Sequence, residues 1–252
     1  MALYNNRYQL RTSALAKVFV ALTCLSLPSV IKAADKRETE QARVKASGEV
    51  LTELINSPSG IPMSVLGKSE CVIILPSVKK AGFIVAASYG RGIMSCRSGE
   101  HFDGQWSAPI MMQSSGGSFG LQAGGQATDF VVLVMNDKGA RALMHGKAKL
   151  GADASIAAGP VGRDAEASTN AGMSAEMLSY SRAQGVFAGV SLSGTSLGPD
   201  GGANENLYGK KVSADQIFSG SIPPARICKG IDVDSTGEIS RECVARKVLA
   251  LK

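Results

Sequence analysis

Cys71-Val72-Ile73-Ile74-Leu75 is a run of five apolar residues closed by Pro76, and no helical period passes through it. A short, wholly apolar run bounded by a breaker reads as a strand, here one ended by Pro76. Working outward, Ala81 to Tyr89 reads as a second strand, followed by Gly90-Arg91-Gly92 and a further extended stretch from Ile93 to Arg97. Phe102-Asp103-Gly104-Gln105-Trp106 carries the Asp-Gly pair of a tight hairpin. Ala108 to Gln113 continues as strand, and Asp129 to Met135 is apolar enough to be a buried central strand. Gly151 to Ala158 alternates small residues. Glu176 to Ser181 and Val186 to Ser193 read as a hairpin around Arg182-Ala183-Gln184-Gly185.

Helical patterns are fewer. Asp35 to Asn56 reads as an N-terminal helix, with Asp35 and Glu38 as a capping box and Asn56-Ser57-Pro58-Ser59-Gly60 as its stop. Val44, Leu51, Leu54 and Ile55 share one face of it. A short helix is expected from Pro62, another from Asn136 to His145, and a last one opened by Ser213 and Gln216 and stopped by Gly220. Many short strands with few helices predict an α+β fold. Its centre is an antiparallel β-sheet or partly closed barrel, with a few short helices packed outside and an N-terminal helix. The 252 residues, 44% of them apolar and 19% charged, suffice for a folded core.

The formal charge of +6 is unevenly placed. Residues 1–33 hold Arg7, Arg11, Lys17 and Lys32 and no acid; 27 basic residues less these four leaves 23 against 21 acidic, a net of +2. A near-neutral remainder argues against nucleic acid as partner. Positive residues, an apolar stretch from Val18 to Ile31 and the small residues Ala33 and Ala34 form a secretory signal pattern. Cleavage near Ala33 is expected, giving an exported chain, periplasmic or secreted. The apolar stretch is short for a membrane span of about 20 residues.

Cys71, Cys96, Cys228 and Cys243 remain after such cleavage. An even number in an oxidising compartment suggests disulfides, and four cysteines allow three pairings. Cys71 with Cys96 would staple a predicted hairpin; Cys228 with Cys243 would close a loop in the C-terminal tail. No CxxC pair and no histidine beside a cysteine points to a metal.

Two motifs hint at chemistry. Gly116-Gly117-Ser118-Phe119-Gly120 fits G-x-S-x-G, which in a hydrolase places the serine on a strand-to-helix turn with a histidine later in the chain; His145 is the only later one. The residues after Gly120 make a poor helix, so a glycine-rich turn is the plainer account. Asp232-Val233-Asp234-Ser235-Thr236-Gly237-Glu238 copies the start of a calcium loop, but its twelfth position is Cys243 instead of a bidentate Glu. His101 and His145 are isolated, and there is no P-loop. No catalytic residue, metal or cofactor is assigned.

Basic residues instead cluster near predicted turns: Lys79 and Lys80, Arg91, Arg97, Lys147, Lys149 and Arg163. Cations beside glycines can hold phosphate groups, and each one near an anionic bilayer contributes about 1 kcal/mol.

The ordered segments together resemble the SYLF-domain family, which includes lipid-binding and actin-patch proteins. They are Ile74-Leu75-Pro76-Ser77-Val78-Lys79-Lys80-Ala81-Gly82-Phe83, Trp106-Ser107-Ala108-Pro109, Gly117-Ser118-Phe119-Gly120-Leu121-Gln122, Thr128-Asp129-Phe130, Lys149-Leu150-Gly151-Ala152-Asp153-Ala154, Ala158-Gly159-Pro160-Val161-Gly162-Arg163 and Tyr180-Ser181-Arg182-Ala183-Gln184-Gly185-Val186-Phe187-Ala188-Gly189, with Tyr208-Gly209 and the final helix completing the pattern. The resemblance covers about residues 40 to 220. It implies a non-catalytic module for anionic lipids, phosphoinositides in eukaryotic relatives, with actin binding added in fungal ones. It also implies that Gly116–Gly120 is a family turn. The export signal gives this chain the look of a bacterial exported branch, for which actin is an unlikely partner and an envelope phospholipid the expected one. The expected division is 1–33 signal peptide, 34–222 lipid-binding domain and 223–252 tail.

Overall fold

The computed structural model describes residues 28–57, 60–82, 85–99, 101–119, 124–161, 175–183, 186–190 and 192–222. Contacts divide the chain into residues 1–39 and a compact body from Glu40 onward. The described part of the first unit is helical. There the Thr39 hydroxyl donates to the Asp35 carbonyl, so Asp35 lies within the helix and does not cap it. This helix, α1, runs Pro28–Asn56, earlier than its expected start.

The body is built on β1 (Cys71–Gly82), β2 (Val85–Cys96), β3 (Ile110–Phe119), β4 (Gly124–Val134), β5 (Ala148–Lys149), β6 (Ile156–Ala158), β7 (Met177–Ala183), β8 (Val186–Gly189) and β9 (Ser196–Pro199). Eight of them form one curled, half-barrel sheet in the order β5-β9-β3-β2-β1-β4-β7-β6, and β8 pairs β7 off this path. Pairing is antiparallel except between β6 and β7. The helices are α1, α2 (Met63–Gly67), α3 (Asp137–Met144), α4 (Gly201–Tyr208) and α5 (Ala214–Phe218). The α+β expectation, with an N-terminal helix, holds.

Cys71 to Leu75 is wholly apolar because both sheet faces are covered there. Cys71, Ile73 and Leu75 join a core with Leu143 of α3 and Ile217 of α5. Val72 and Ile74 join a second core with Leu51 and Leu54 of α1, Val65 of α2 and Leu207 of α4. Successive residues therefore feed opposite layers, as the strand period requires.

Three expectations need correction. Pro76 does not end its strand: β1 continues to Gly82 past a bulge, where the register shifts between Leu75 and Val78. Ser77 takes a left-handed φ of 50° at this point, and its N–H donates to the Asp129 carboxylate at 2.8 Å. A side-chain acceptor thus replaces the ladder partner lost at the extra residue. Gly90-Arg91-Gly92 is no turn but the middle of β2. A Cβ on Gly90 would meet the Val78 side chain at 2.5 Å, and one on Gly92 would meet the Ile74 carbonyl oxygen at 1.9 Å. The bulge crowds the neighbouring strand, and only glycine fits there. Nor is Asp103-Gly104 a two-residue hairpin. An Arg97–Trp106 bridge and a Ser98 N–H to Gln105 carbonyl bond close a wider loop, with positive φ at Gly99 and Phe102.

Local signals fared better. Asn136 caps α3 by accepting from the Gly139 N–H, Ser213 and Gln216 form the capping box of α5, and Gly220 follows with φ 72°. Cys71 and Cys96, directly opposite in β1 and β2, are disulfide-bonded and fully buried. Cys228, Cys243 and the Asp232–Asp234 loop lie outside the described residues.

Candidate functional site

Beyond the bulge the strands turn from large apolar residues to small and polar ones, and the helical cover stops. Register carries one row across five strands: Lys149 pairs Ser196, Ser196 pairs Ser115, Ser115 pairs Tyr89, and Tyr89 pairs Lys79. Residues directly opposite in a sheet point to the same face. This is the face that α1 covers further along, since Ile93 and Ile74 lie on it. Here the row is open: Lys79, Ser115 and Lys149 are exposed, and Tyr89 is 51% exposed. Four strand spacings put the two lysines' backbones about 19 Å apart. Lys147 is exposed two residues before Lys149. Ala81, Ala87, Gly117 and Ala127 extend the same surface with little side chain.

Lys80 points the other way. It lines a cavity of about 330 Å³ on the opposite face, with Leu75, Val78 and Phe130 as floor and Ser88, Ser114 and Thr128 among its hydroxyls. The expected turn between Lys79 and Lys80 is thus a strand, and adjacent lysines serve separate surfaces.

Arg91 is engaged internally. Its guanidinium contacts Asp200 Oδ2 from Nε at 2.9 Å and from Nη2 at 2.6 Å, with Glu40 Oε1 at 3.6 Å. Glu40 is 2% exposed and also pairs Arg43. Burial, and then the nearby Arg91 charge, push the Arg43 guanidinium below its ordinary pKa. Asp200 meanwhile caps α4, accepting from the Ala203 N–H at 3.0 Å. A second knot joins Arg182 to Asp129 and to Glu53 of α1, on the same face. The two knots hold α1 against the sheet between Arg91 and Arg182. Sequence reading missed both, because each joins elements far apart in the chain, Arg91 with Asp200 in one and Glu53 with Arg182 in the other.

Arg97 stands at the far end of β2, its guanidinium 4.6 Å from the Trp106 ring centre. That is eight residues from Tyr89, or roughly 26 Å along a strand. Arg163 lies outside the described residues. The six described basic positions therefore do not form one patch: Lys79, Lys147 and Lys149 share the open face, Lys80 lines the cavity, and Arg91 and Arg97 are held elsewhere.

Ser118 lies within β3, paired with Ala86, and the next element is β4. Ser118 thus sits inside a strand, not on the strand-to-helix turn that a nucleophile elbow needs. Gly116 serves packing instead, since a Cβ there would press on the Ser88 hydroxyl at 2.9 Å. His145 ends α3 with Nδ1 3.9 Å from an Asp215 carboxylate oxygen. Among the described residues no group of three or more His, Cys, Asp or Glu is placed to hold a metal, and no helix is long and apolar enough to cross a membrane.

Residues 115–231 match the Ysc84 family, described as Las17-binding protein actin regulator. The chain is 36% identical over 191 residues to an SH3 domain-containing protein of Schizosaccharomyces pombe, a match covering 72% of this chain and 44% of that protein. It is 34% identical over 193 residues to LAS seventeen-binding protein 3 of Saccharomyces cerevisiae, covering 75% and 41%. Against the SH3 domain-containing YSC84-like protein 1 of Homo sapiens it is 34% identical over 190 residues, covering 73% and 54%. The chain spans about half the length of the curated relatives it matches.

Proposed function

Because this chain belongs to the Ysc84, or SYLF-domain, family, we propose that it is a non-catalytic module that docks on anionic phospholipid headgroups through the open sheet face. One observation carries this reading: an exposed tyrosine stands between Lys79 and Lys149 on a single uncovered row. An amphipathic ring with lysines on either side suits an interface, where the ring enters the headgroup layer and the ammonium groups meet phosphates. The surrounding alanines and glycines keep that surface low, so both lysines can reach one plane.

Co-sedimentation with phosphatidylglycerol-containing vesicles tests it. The wild type is expected to pellet with these and not with neutral vesicles, less so as salt rises. At about 1 kcal/mol per lysine, Lys79→Ser with Lys149→Ser should weaken binding roughly thirty-fold. Unchanged pelleting of this double variant would end the reading. The name of the Saccharomyces cerevisiae relative speaks of LAS seventeen binding, and the family description of Las17 binding and actin regulation. Actin filaments therefore form a parallel arm: pelleting with filaments and not with vesicles favours a protein partner for the same face.

In the same reading the segment ending at Ala33 exports the chain and the bilayer is an envelope one. N-terminal sequencing of protein taken from the cell is expected to begin near Ala34; a chain beginning at its first residues would remove the export part. Glu40 and everything after it survive that cut.

A further inference from the structure

We propose that the cavity on the opposite sheet face binds a small amphipathic carboxylate, of the medium-chain fatty-acid class, with Lys80 holding its head. The cavity of about 330 Å³ is at the small end of ligand pockets. Among the described residues its lining contains one cation and no carboxylate. One net positive charge in a partly enclosed site selects one negative charge. Hydroxyls of Ser88, Ser114 and Thr128 stand in the same lining as further donors. A charged head alone would leave the floor unused. That floor is apolar: Leu75 and Val78 are 2% and 6% exposed, and Phe130 packs against the same core. Covering it favours an aliphatic chain by about 0.8 kcal/mol per buried methylene.

Position supports the same ligand. Lys80 pairs Ser88 and Gln126, and each of the three lines the cavity. The bulge at Pro76-Ser77 sets this phase. Without the extra residue, Lys79 would take the inward place of Lys80. Lys80 is thereby separated from the membrane-facing lysines although it adjoins one in sequence.

Titration calorimetry with decanoate, decanol and acetate tests the proposal on the wild type and on Lys80→Met, Lys79→Met and Ser88→Phe. Decanoate is expected to bind the wild type, with decanol and acetate at least ten-fold weaker. Lys80→Met should lose at least ten-fold, as expected for a hydrogen bond to a charged group. Ser88→Phe should lose binding by filling the space, and Lys79→Met should leave it intact. Absence of decanoate binding to the wild type, or equal binding to Lys80→Met, overturns the proposal. Vesicle pelleting of Lys80→Met separates this site from the open face. Retained pelleting with lost decanoate binding supports two sites, whereas lost pelleting with unchanged decanoate binding assigns Lys80 to the membrane and ends the cavity role.

Discussion

Replacing Gly92 by alanine is expected to cost the domain at least about 4 kcal/mol, enough to leave much of it unfolded. The added Cβ would stand 1.9 Å from the Ile74 carbonyl oxygen, 2.8 Å from its carbon and 2.9 Å from the Leu75 Cα. All three are backbone atoms of the adjoining strand, so no side-chain rotation relieves the clash. Relief requires β1 and β2 to separate where Ile74 pairs Ile93, at the start of the bulge. Both cores would feel the separation, because Leu75 belongs to one and Ile74 to the other. Gly117→Ala is the control. Its Cβ would have a nearest neighbour at 3.9 Å, and alanine in a strand loses less backbone entropy than glycine on folding. That variant should match the wild type or exceed it slightly. Urea unfolding followed by circular dichroism reads both, and a Gly92→Ala midpoint at the wild-type value would refute the account of the bulge.

The same bulge explains what the sequence concealed. Proline and glycine usually punctuate, so Pro76 and Gly90-Arg91-Gly92 read as ends of strands. In the fold they are answers to one extra residue in β1, and crowding between strands is a tertiary fact that no local window contains. That single misplaced boundary moved Lys79 and Lys80 from a strand to a turn. Once they are in a strand, the two-residue period separates their faces at once. Features written within a few residues were readable: the Asn136 cap, the Ser213–Gln216 box, and the apolar strand that begins at Cys71. Helix α4 was not, since Asp200-Gly201-Gly202 has the composition of a turn. Its start is fixed by a carboxylate whose other partner sits on β2. Glycines likewise made Gly116–Gly120 read as a turn, whereas Gly116 to Phe119 lie within β3, which uses Gly116 to lie close to Ser88.

Asp200→Ala is expected to destabilise the body by about 4 kcal/mol, and Asp200→Asn by about 3. The carboxylate does two things. Oδ1 caps α4 through the Ala203 N–H, a role worth about 1 kcal/mol that asparagine keeps. Oδ2 takes both Arg91 contacts, and asparagine loses that charge. Without it Arg91 and Arg43 are left to share Glu40, whose side chain is 3% exposed. Breaking a pair at a buried site costs more than the pair contributes, because a desolvated charge is left uncompensated. Arg91 is 29% exposed on its side chain, which places the expected loss at the low end of that range. Arg91→Met should therefore resemble Asp200→Asn in stability. The comparison also separates two roles for this arginine. If it serves the fold, Arg91→Met lowers the unfolding midpoint while the folded protein still pellets with anionic vesicles as the wild type does. If it serves headgroups, stability is retained and pelleting falls about five-fold, the share of one cation near a bilayer. The two salt contacts to Asp200 and the buried Glu40 behind them lead to the first outcome, and a stable Arg91→Met that no longer pellets would refute it.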